Sequence, residues 1–252
     1  MTFVLSLIKI SPGKEQTSKN IPKRKTVKKM AGYRLCIFDL DGTLLDTLED
    51  LKDGVNAALS HFGFPERSLH EVRRFVGNGI RNLMIRAVPG GEEEPRFEDI
   101  FLWFKDFYTG HCMEKTREYE GISELFTALS EKDIAIAVLS NKNDEAVKEL
   151  IAHYFPGRVR YALGHRKNSR IKPAPDAVFA IMEALDISPA ETVYIGDSDV
   201  DIKTAENAGV DCISVDWGFR DRDFLIENGA KKIVSSCDEL LSAIVNTGRE
   251  AD

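Results

Sequence analysis

Arg34-Leu35-Cys36-Ile37-Phe38-Asp39-Leu40-Asp41-Gly42-Thr43-Leu44 decides how this chain folds. Its apolar half has the length and composition of a strand buried on both faces, as parallel sheets require. The run stops on two aspartates one residue apart, then Gly42 and Thr43. Two carboxylates at a strand end repel each other and must stay hydrated or be neutralised. Open parallel sheets bind ligands at the carboxyl ends of their strands, so acids there point to a site. Asp and Gly are also ordinary turn residues after any strand, so the stretch alone leaves both readings open.

The first strand is predicted at 33–39, and the segment after it is no short crossover. Leu48, Leu51, Val55, Ala58 and Leu59 recur at helical spacing within 47–62, and Gly63 is a stop signal. Helices are predicted at 71–75 and 80–88, separated by Gly77-Asn78-Gly79. A further helix at 97–114 carries Ile100, Phe101, Phe104, Phe107 and Tyr108 on one stripe, the pattern of a helix-bundle core. From Gly121 the pattern alternates. Helices are predicted at 122–129, 145–153, 175–185, 202–208, 224–228 and 240–245, and strands at 134–139, 161–163, 192–195, 212–215 and 232–234. Such alternation with short links implies an α/β fold with a doubly wound parallel sheet. The expected organisation is a Rossmann-like core of residues 31–46 and 116–252, interrupted by an all-α helical cap at 47–115.

A chain of 252 residues can bury one large core with an insertion. No apolar run is long enough to span a bilayer. Cys36, Cys112, Cys212 and Cys237 are scattered without metal-ligand spacing, and Cys36 and Cys212 read as small buried hydrophobes in strands. A reducing, cytoplasmic compartment fits. The net charge of −7 conceals an asymmetry, because residues 1–30 hold eight Lys or Arg and a single acid, Glu15. The acidic remainder argues against non-specific nucleic-acid binding. The basic stretch comes after the apolar start instead of preceding it, so residues 1–30 read as a disordered leader or an upstream start, with Met30 a natural beginning of the domain and organelle targeting the alternative.

Three later places repeat the opening pattern, each expected in the loop after a strand. Ser140-Asn141-Lys142 ends one apolar run, offering O–H and backbone N–H donors to an anion, although Asn141 or Asn143 could equally cap the next helix. Lys172 sits between Ile171 and Pro173, fixed before a helix where a lone Lys would otherwise belong on the surface. Tyr194-Ile195-Gly196-Asp197-Ser198-Asp199-Val200-Asp201 again ends a strand on carboxylates, and Asp197 and Asp201 could share one face or serve as caps. Together, Asp39, Asp41, Asp197 and Asp201 would crowd four negative charges into one cleft, with Lys172 the one cation expected among them. Like charges about 4 Å apart repel by about 4 kcal/mol at a surface-like dielectric. Oxygen-only ligands select Mg²⁺, and carboxylates, Mg²⁺, a hydroxyl and a Lys compose a phosphoryl site.

In this order, Asp39-Leu40-Asp41-Gly42-Thr43, Ser140-Asn141, Lys172 before Pro173, and Gly196-Asp197-Ser198 with Asp201 resemble the four motifs of the haloacid dehalogenase superfamily. The resemblance spans about residues 33–245. The helical insertion directly after the first motif is similar to the cap of the superfamily's phosphatases with an α-helical lid. Val76-Gly77-Asn78-Gly79, Ser140-Asn141-Lys142 and Asp201-Ile202 after Gly196-Asp197-Ser198 resemble the phosphoglycolate phosphatase group. The resemblance implies Asp39 as the nucleophile that forms an aspartyl-phosphate, and Asp41 as the acid and then the base, its pKa raised by neighbouring carboxylates. It implies Mg²⁺ held by Asp39, the Asp41 carbonyl and Asp197, with Ser140, Asn141 and Lys172 binding substrate. Asp201 would orient Lys172 or a metal-bound water, Gly42 would allow the turn, Thr43 would order the loop, and Gly77, Asn78 and Gly79 would line the pocket.

The dehalogenases lack the second Asp because a halide needs no proton, so Asp41 favours phosphate chemistry. Gly196, where the family's sugar phosphomutases tend to carry Glu, leans towards a hydrolase. The chain departs from the pattern at Tyr119-Glu120-Gly121, where Pro-Gly is usual, and in the basic run His165-Arg166-Lys167-Asn168-Ser169-Arg170. That run reads as a solvated loop, with an extra anion site as the sharper alternative. The expected activity is hydrolysis of a small anionic phosphate ester, 2-phosphoglycolate first, by a monomer or homodimer with no membrane or nucleic-acid partner. Pyrophosphate or sugar-phosphate hydrolysis, a phosphomutase and a non-catalytic binding module remain as alternatives.

Overall fold

Four consecutive apolar residues, Leu35–Phe38, form β1, and none of their side chains reaches solvent. They alternate as the pleat dictates: Cys36 and Phe38 join the core on one face of the sheet, Leu35 and Ile37 the core on the other. Full burial of Leu35, Ile37 and Phe38 contributes about 1.5–3 kcal/mol each. The computed structural model describes residues 32–167 and 169–246. The leader at 1–30, Met30 and Asn168 lie outside the described residues.

After β1 come β2 (Leu45–Asp46) and four helices, α1 (Leu48–His61), α2 (Leu69–Phe75), α3 (Gly79–Ala87) and α4 (Phe97–His111). The chain then runs through β3 (Arg117–Glu118), α5 (Ile122–Ser130), β4 (Ala135–Asn143), α6 (Asp144–Tyr154), β5 (Tyr161–His165), α7 (Asp176–Leu185) and β6 (Thr192–Gly196). It ends with α8 (Asp199–Ala208), β7 (Asp211–Val215), α9 (Arg222–Glu227), β8 (Ile233–Val234) and α10 (Cys237–Val245). The main sheet has the order β5-β4-β1-β6-β7-β8, parallel throughout. Residues of α5, α6 and α10 cover one face and residues of α7 and α8 the other. Because the chain leaves β1 towards β4 and later returns to its other side at β6, the strand order reverses beside β1. A crevice opens outside the strand ends at such a switch point.

The helices α1 to α4 gather around their own apolar cluster, which includes Leu59, Leu83, Met84, Ile100 and Phe104. Gly54 of α1 lets α4 come close, since a Cβ there would lie 3.2 Å from both Phe104 and Tyr108. α2 opens on a capping box, in which Ser68 and Glu71 satisfy each other's backbone N–H.

Three details differ from the sequence reading. The two crossings between core and helices form a small antiparallel ribbon, β2 with β3, too short to show a period in sequence. β4 does not stop at Leu139 but runs to Asn143, its register against β5 shifting between Leu139 and Asn143. Ser140, Asn141 and Lys142 therefore lie in the irregular end of a strand and not in the loop after it. α8 starts at Asp199, so Asp201 belongs to its first turn. The four cysteines are free, with Cys36 buried and Cys212 half-buried, and burial pushes the Cys212 thiol up to about 12. Among the described residues, no helix is long and apolar enough to cross a membrane.

Buried Asp50 ties the outgoing helix to the returning chain. Its carboxylate accepts from the Lys115 and Thr116 backbone N–H groups at 2.9 Å and from Thr116 Oγ1 at 2.7 Å. Asp50→Ala would strip these donors of their acceptor where water enters poorly, and a loss of about 2–3 kcal/mol in urea-unfolding stability is expected; an unchanged midpoint would contradict this account of the junction.

Candidate active site

The ends of β1, β4 and β6 and the loop before α7 meet in one pocket, lined by Asp39, Asp41, Ser140, Asn141, Lys142, Lys172 and Asp197 from the core. Val76, Gly77, Asn78, Gly79, Ile80 and Leu83 close it from the helical insertion. The pocket is small, about 90 Å³.

Lys172, also in the lining, is only 5 % exposed. Its Nζ lies 2.8 Å from Asp39 Oδ1 and 2.7 Å from Asp201 Oδ1. Asn141 holds the Lys172 backbone at both ends: its Oδ1 accepts from Lys172 N at 2.8 Å and its Nδ2 donates to Lys172 O at 3.2 Å. The peptide bond from Lys172 to Pro173 is cis. Burial pulls the Lys172 ammonium down, but Asp201 and Asp39 outweigh it and hold its pKa well above the usual lysine value. Burial and the Asp201 charge push the Asp39 carboxyl well up, against the pull of Lys172.

Asp39, Asp197 and Asp201 bring one carboxylate oxygen each to within 4.8 Å of one another, and all three are buried. Asp201 is largely committed already. Lys172 and Tyr194 donate to its Oδ1 at 2.7 and 3.2 Å, and Ser198 donates to its Oδ2. Asp197 Oδ2 accepts the Phe219 N–H at 2.7 Å, and among the described residues its Oδ1 has only a long bond from Thr43 Oγ1, 3.4 Å. Asp39 Oδ1 accepts from Leu40 N at 2.7 Å as well as from Lys172. Burial first, then the Asp201 charge, raise the Asp197 carboxyl to about 7. The donor set fits a divalent cation, because hard oxygens with spare lone pairs face one point and carry more negative charge than their neighbours cancel. Gly42, at φ 89°, and Gly218 wrap Asp197 so closely that a Cβ on either would collide with its side chain. Trp217 Nε1 donates to the Thr43 carbonyl at 3.2 Å and fixes the same turn.

Asp41 has a different environment from the one its sequence neighbours suggest. It pairs with Lys142, whose Nζ lies 3.0 Å from Oδ1. Thr47 Oγ1 donates to the same oxygen at 2.8 Å and Ser140 Oγ to Oδ2 at 3.4 Å. Lys142 Nζ also meets Tyr108 Oη of α4 at 3.0 Å, so one buried ammonium joins a core carboxylate to the helical insertion. Lys172 is thus not the one cation of the cleft. The signal was present in sequence, since Lys142 ends the Ser-Asn-Lys triplet, but a strand-end Lys gives no hint of which carboxylate it meets.

The sequence reading also passed over Trp217-Gly218-Phe219-Arg220, although this stretch comes after β7 just as the chosen motifs come after their strands. Arg73 of α2 donates to the carbonyls of Gly218 and Phe219 at 2.7 and 2.9 Å. Arg220 donates in return to the carbonyls of Arg73 and Val76 at 3.0 and 2.6 Å. Asn78, at φ 61°, starts α3 from the left-handed region between two glycines. The basic run at 165–170 has its own counter-ions, Arg166 with Asp144 at 2.9 Å and Arg170 with Asp176 at 2.7 Å, which suits a solvated loop and not a second anion site.

The same pattern recurs in known proteins. Phosphoglycolate phosphatase 1 of Pseudomonas aeruginosa is 31 % identical over 216 residues, which is 82 % of this chain and 78 % of that protein. A phosphoglycolate phosphatase of Pseudomonas putida is 32 % identical over 192 residues, covering 74 % and 70 %. A crystal structure from Lactobacillus delbrueckii subsp. bulgaricus, assigned as a phosphoglycolate phosphatase, superposes with a TM-score of 0.82 at 35 % identity, covering 84 % of this chain and 98 % of that one. The family model for haloacid dehalogenase-like hydrolases matches residues 36–215, from β1 to the end of β7. With the acidic strand ends, the buried Lys172 and the helical insertion all inside one such match, this chain belongs to the haloacid dehalogenase-like hydrolases.

Proposed function

We propose that this chain is a Mg²⁺-dependent phosphomonoesterase that acts through an aspartyl-phosphate, with 2-phosphoglycolate as its first substrate. The observation that carries the reading is the buried cluster of Asp39, Asp197 and Asp201 around Lys172, with Asp41 within the same pocket. Its relatives named phosphoglycolate phosphatase support the substrate, and a pocket of about 90 Å³ favours a compact ester over a nucleotide.

Asp39 is the attacking group in this reading. Its Oδ1 is held by Lys172 and Leu40 N, and no described residue donates to its Oδ2, which leaves that oxygen to reach a phosphorus atom. Asp39, Asp197 and the Asp41 carbonyl would hold Mg²⁺, with Asp201 supporting through Lys172. When bound, the cation would offset the crowded carboxylates and the charge on phosphoryl oxygens. Lys172 and Ser140 would bind those oxygens, and Asn141 keeps Lys172 aimed. Asp41 would give a proton to the leaving alkoxide and later take one from the attacking water, splitting hydrolysis into two easier displacements. Lys142 and Thr47 hold its carboxylate in place on the pocket lining. Gly77, Asn78 and Gly79 would close over the substrate and exclude bulk water.

Phosphate release in Mg²⁺ from 2-phosphoglycolate, pyrophosphate, hexose phosphates and nucleotides tests the assignment. A clear preference for phosphoglycolate is expected. Equal rates would remove that substrate and keep the phosphatase, and no release from any would remove both. Asp39→Asn should lower turnover by at least about 10³-fold while the melting temperature stays near wild type; retained turnover would move the nucleophile elsewhere.

The metal-free protein should show the strain of its carboxylates in its pH dependence. Asp197 is raised to about 7 and Asp39 is raised as well, so between about pH 4 and 7 the folded state holds protons that the unfolded chain has released. Stability in EDTA is therefore expected to fall as pH rises through that window. Added Mg²⁺ should raise the melting temperature more at pH 7.5 than at pH 5. A metal effect that is equal at both pH values would contradict the assigned ligands.

A further inference from the structure

Arg220 is the cation of the pocket wall that the proposed reaction leaves unused. It lines the same pocket as Asp39, Ser140 and Lys172, but from the side where core and helical insertion meet. Its Nη1 and Nη2 donate to the carbonyls of Arg73 and Val76, and its guanidinium lies 5.3 Å from the Phe224 ring centre. Carbonyl oxygens satisfy N–H groups without cancelling charge. Nε–H is buried and meets no acceptor among the described residues. None of the ion pairs among those residues includes Arg220, although Asp197 feels its charge through space.

The two lysines of the pocket differ sharply from it. Lys172 is paired with two carboxylates and is assigned above to the phosphoryl oxygens, and Lys142 is paired with Asp41, so a second anionic group on the substrate must look elsewhere. Arg220 has five N–H donors and spends two on carbonyls, which leaves donors on more than one nitrogen for a planar anion. Gly77 adjoins Arg220 on this wall, where an added Cβ would lie in van der Waals contact, 3.4 Å from Arg220 Nη2, and its φ of 123° is one that a side chain would strain.

We infer that Arg220 is a specificity-determining residue, receiving a carboxylate carried by the alcohol part of the substrate while Ser140 and Lys172 hold its phosphoryl end. The site then selects small phosphate monoesters bearing a second anionic group one or two carbons from the ester oxygen. The assignment rests on the phosphomonoesterase reading above and names the residue behind its substrate preference. An uncharged ester of equal size leaves the guanidinium unanswered, and a buried donor without its partner discriminates strongly.

Calorimetric titration in Mg²⁺ with 3-phosphonopropionate, in which a CH₂ replaces the ester oxygen of phosphoglycolate, and with propylphosphonate, which matches its skeleton and lacks the carboxylate, tests this without turnover. The wild type should bind 3-phosphonopropionate at least about tenfold more tightly than propylphosphonate. In Arg220→Gln or Arg220→Met, whichever folds as judged by melting temperature, the two affinities should come within about twofold of each other, mainly through loss of 3-phosphonopropionate binding. No preference in the wild type would overturn the inference. So would an equal loss for both ligands, since Arg220 would then act only by fastening the helices to the core. Hydrolysis of 2-phosphoglycolate, measured in parallel, separates the two claims: no hydrolysis with an intact 3-phosphonopropionate preference removes the proposed substrate and keeps Arg220, whereas hydrolysis with an unaltered affinity ratio in the variants removes Arg220 alone.

Discussion

A single buried ammonium between two carboxylates organises this molecule. Lys172 is almost wholly shut off from water, and a charge in that position is tolerable only when paired and fully hydrogen-bonded. Asp39 comes from the end of β1, Asp201 from the first turn of α8, and Asn141 from the end of β4 to grip the Lys172 backbone. Four separate segments must therefore arrive in register. Taking away one partner of such a pair costs about 3–5 kcal/mol, because the remaining charge stays buried. The parallel sheet is what delivers them, since its strands end side by side at the place where the strand order reverses.

Pairing Lys172 does not balance the cluster. Asp39 and Asp197 remain crowded, and burial pushes both towards the neutral form. Neutral carboxyls would make poor metal ligands and a poor nucleophile, so the site is poised for a cation that restores their charge. The packing around Asp197 shows how little freedom it has. Thr43 and Phe219 N–H hold the carboxylate, and Gly42 and Gly218 lie where any side chain would displace it.

The helical insertion is fastened to this cluster by polar ties that begin at pocket residues. Lys142 reaches Tyr108 of α4 while paired with Asp41, and the Arg73 and Arg220 guanidiniums exchange hydrogen bonds with each other's backbone segments. Phe219, whose N–H holds Asp197, lies within the second tie. Movement of the helices away from the core would break bonds one residue from the acidic cluster. Closure and site geometry are thus physically joined, which suits a reaction that must exclude water and then admit it.

Much of this was legible in the chain itself. Apolar runs ending in Asp39-Leu40-Asp41, in Ser140 and in Gly196-Asp197 mark strands of a parallel sheet, because only strands buried on both faces are apolar throughout and only their ends can bear charge. The stripe from Ile100 to Tyr108 marks a helix by its period, and the order of the acidic motifs identifies the family. Periodicity is a local signal, however, and it is silent wherever partners are distant in sequence. The β2–β3 ribbon is too short to have a period, and the extension of β4 depends on its register with β5. Asp41 looked surrounded by acids until the fold set Lys142 beside it. The basic run at 165–170 reads as a solvated loop, and Asp144 and Asp176, which pair with its arginines, could not be assigned to it from sequence, while Arg220, unremarked in sequence, lies on the pocket wall without a counter-ion among the described residues. The sequence by itself determined which residue types meet at the strand ends, since burial and period follow from composition. Which charge answers which was decided only by the tertiary structure, because Coulomb interactions depend on distance in space and not along the chain.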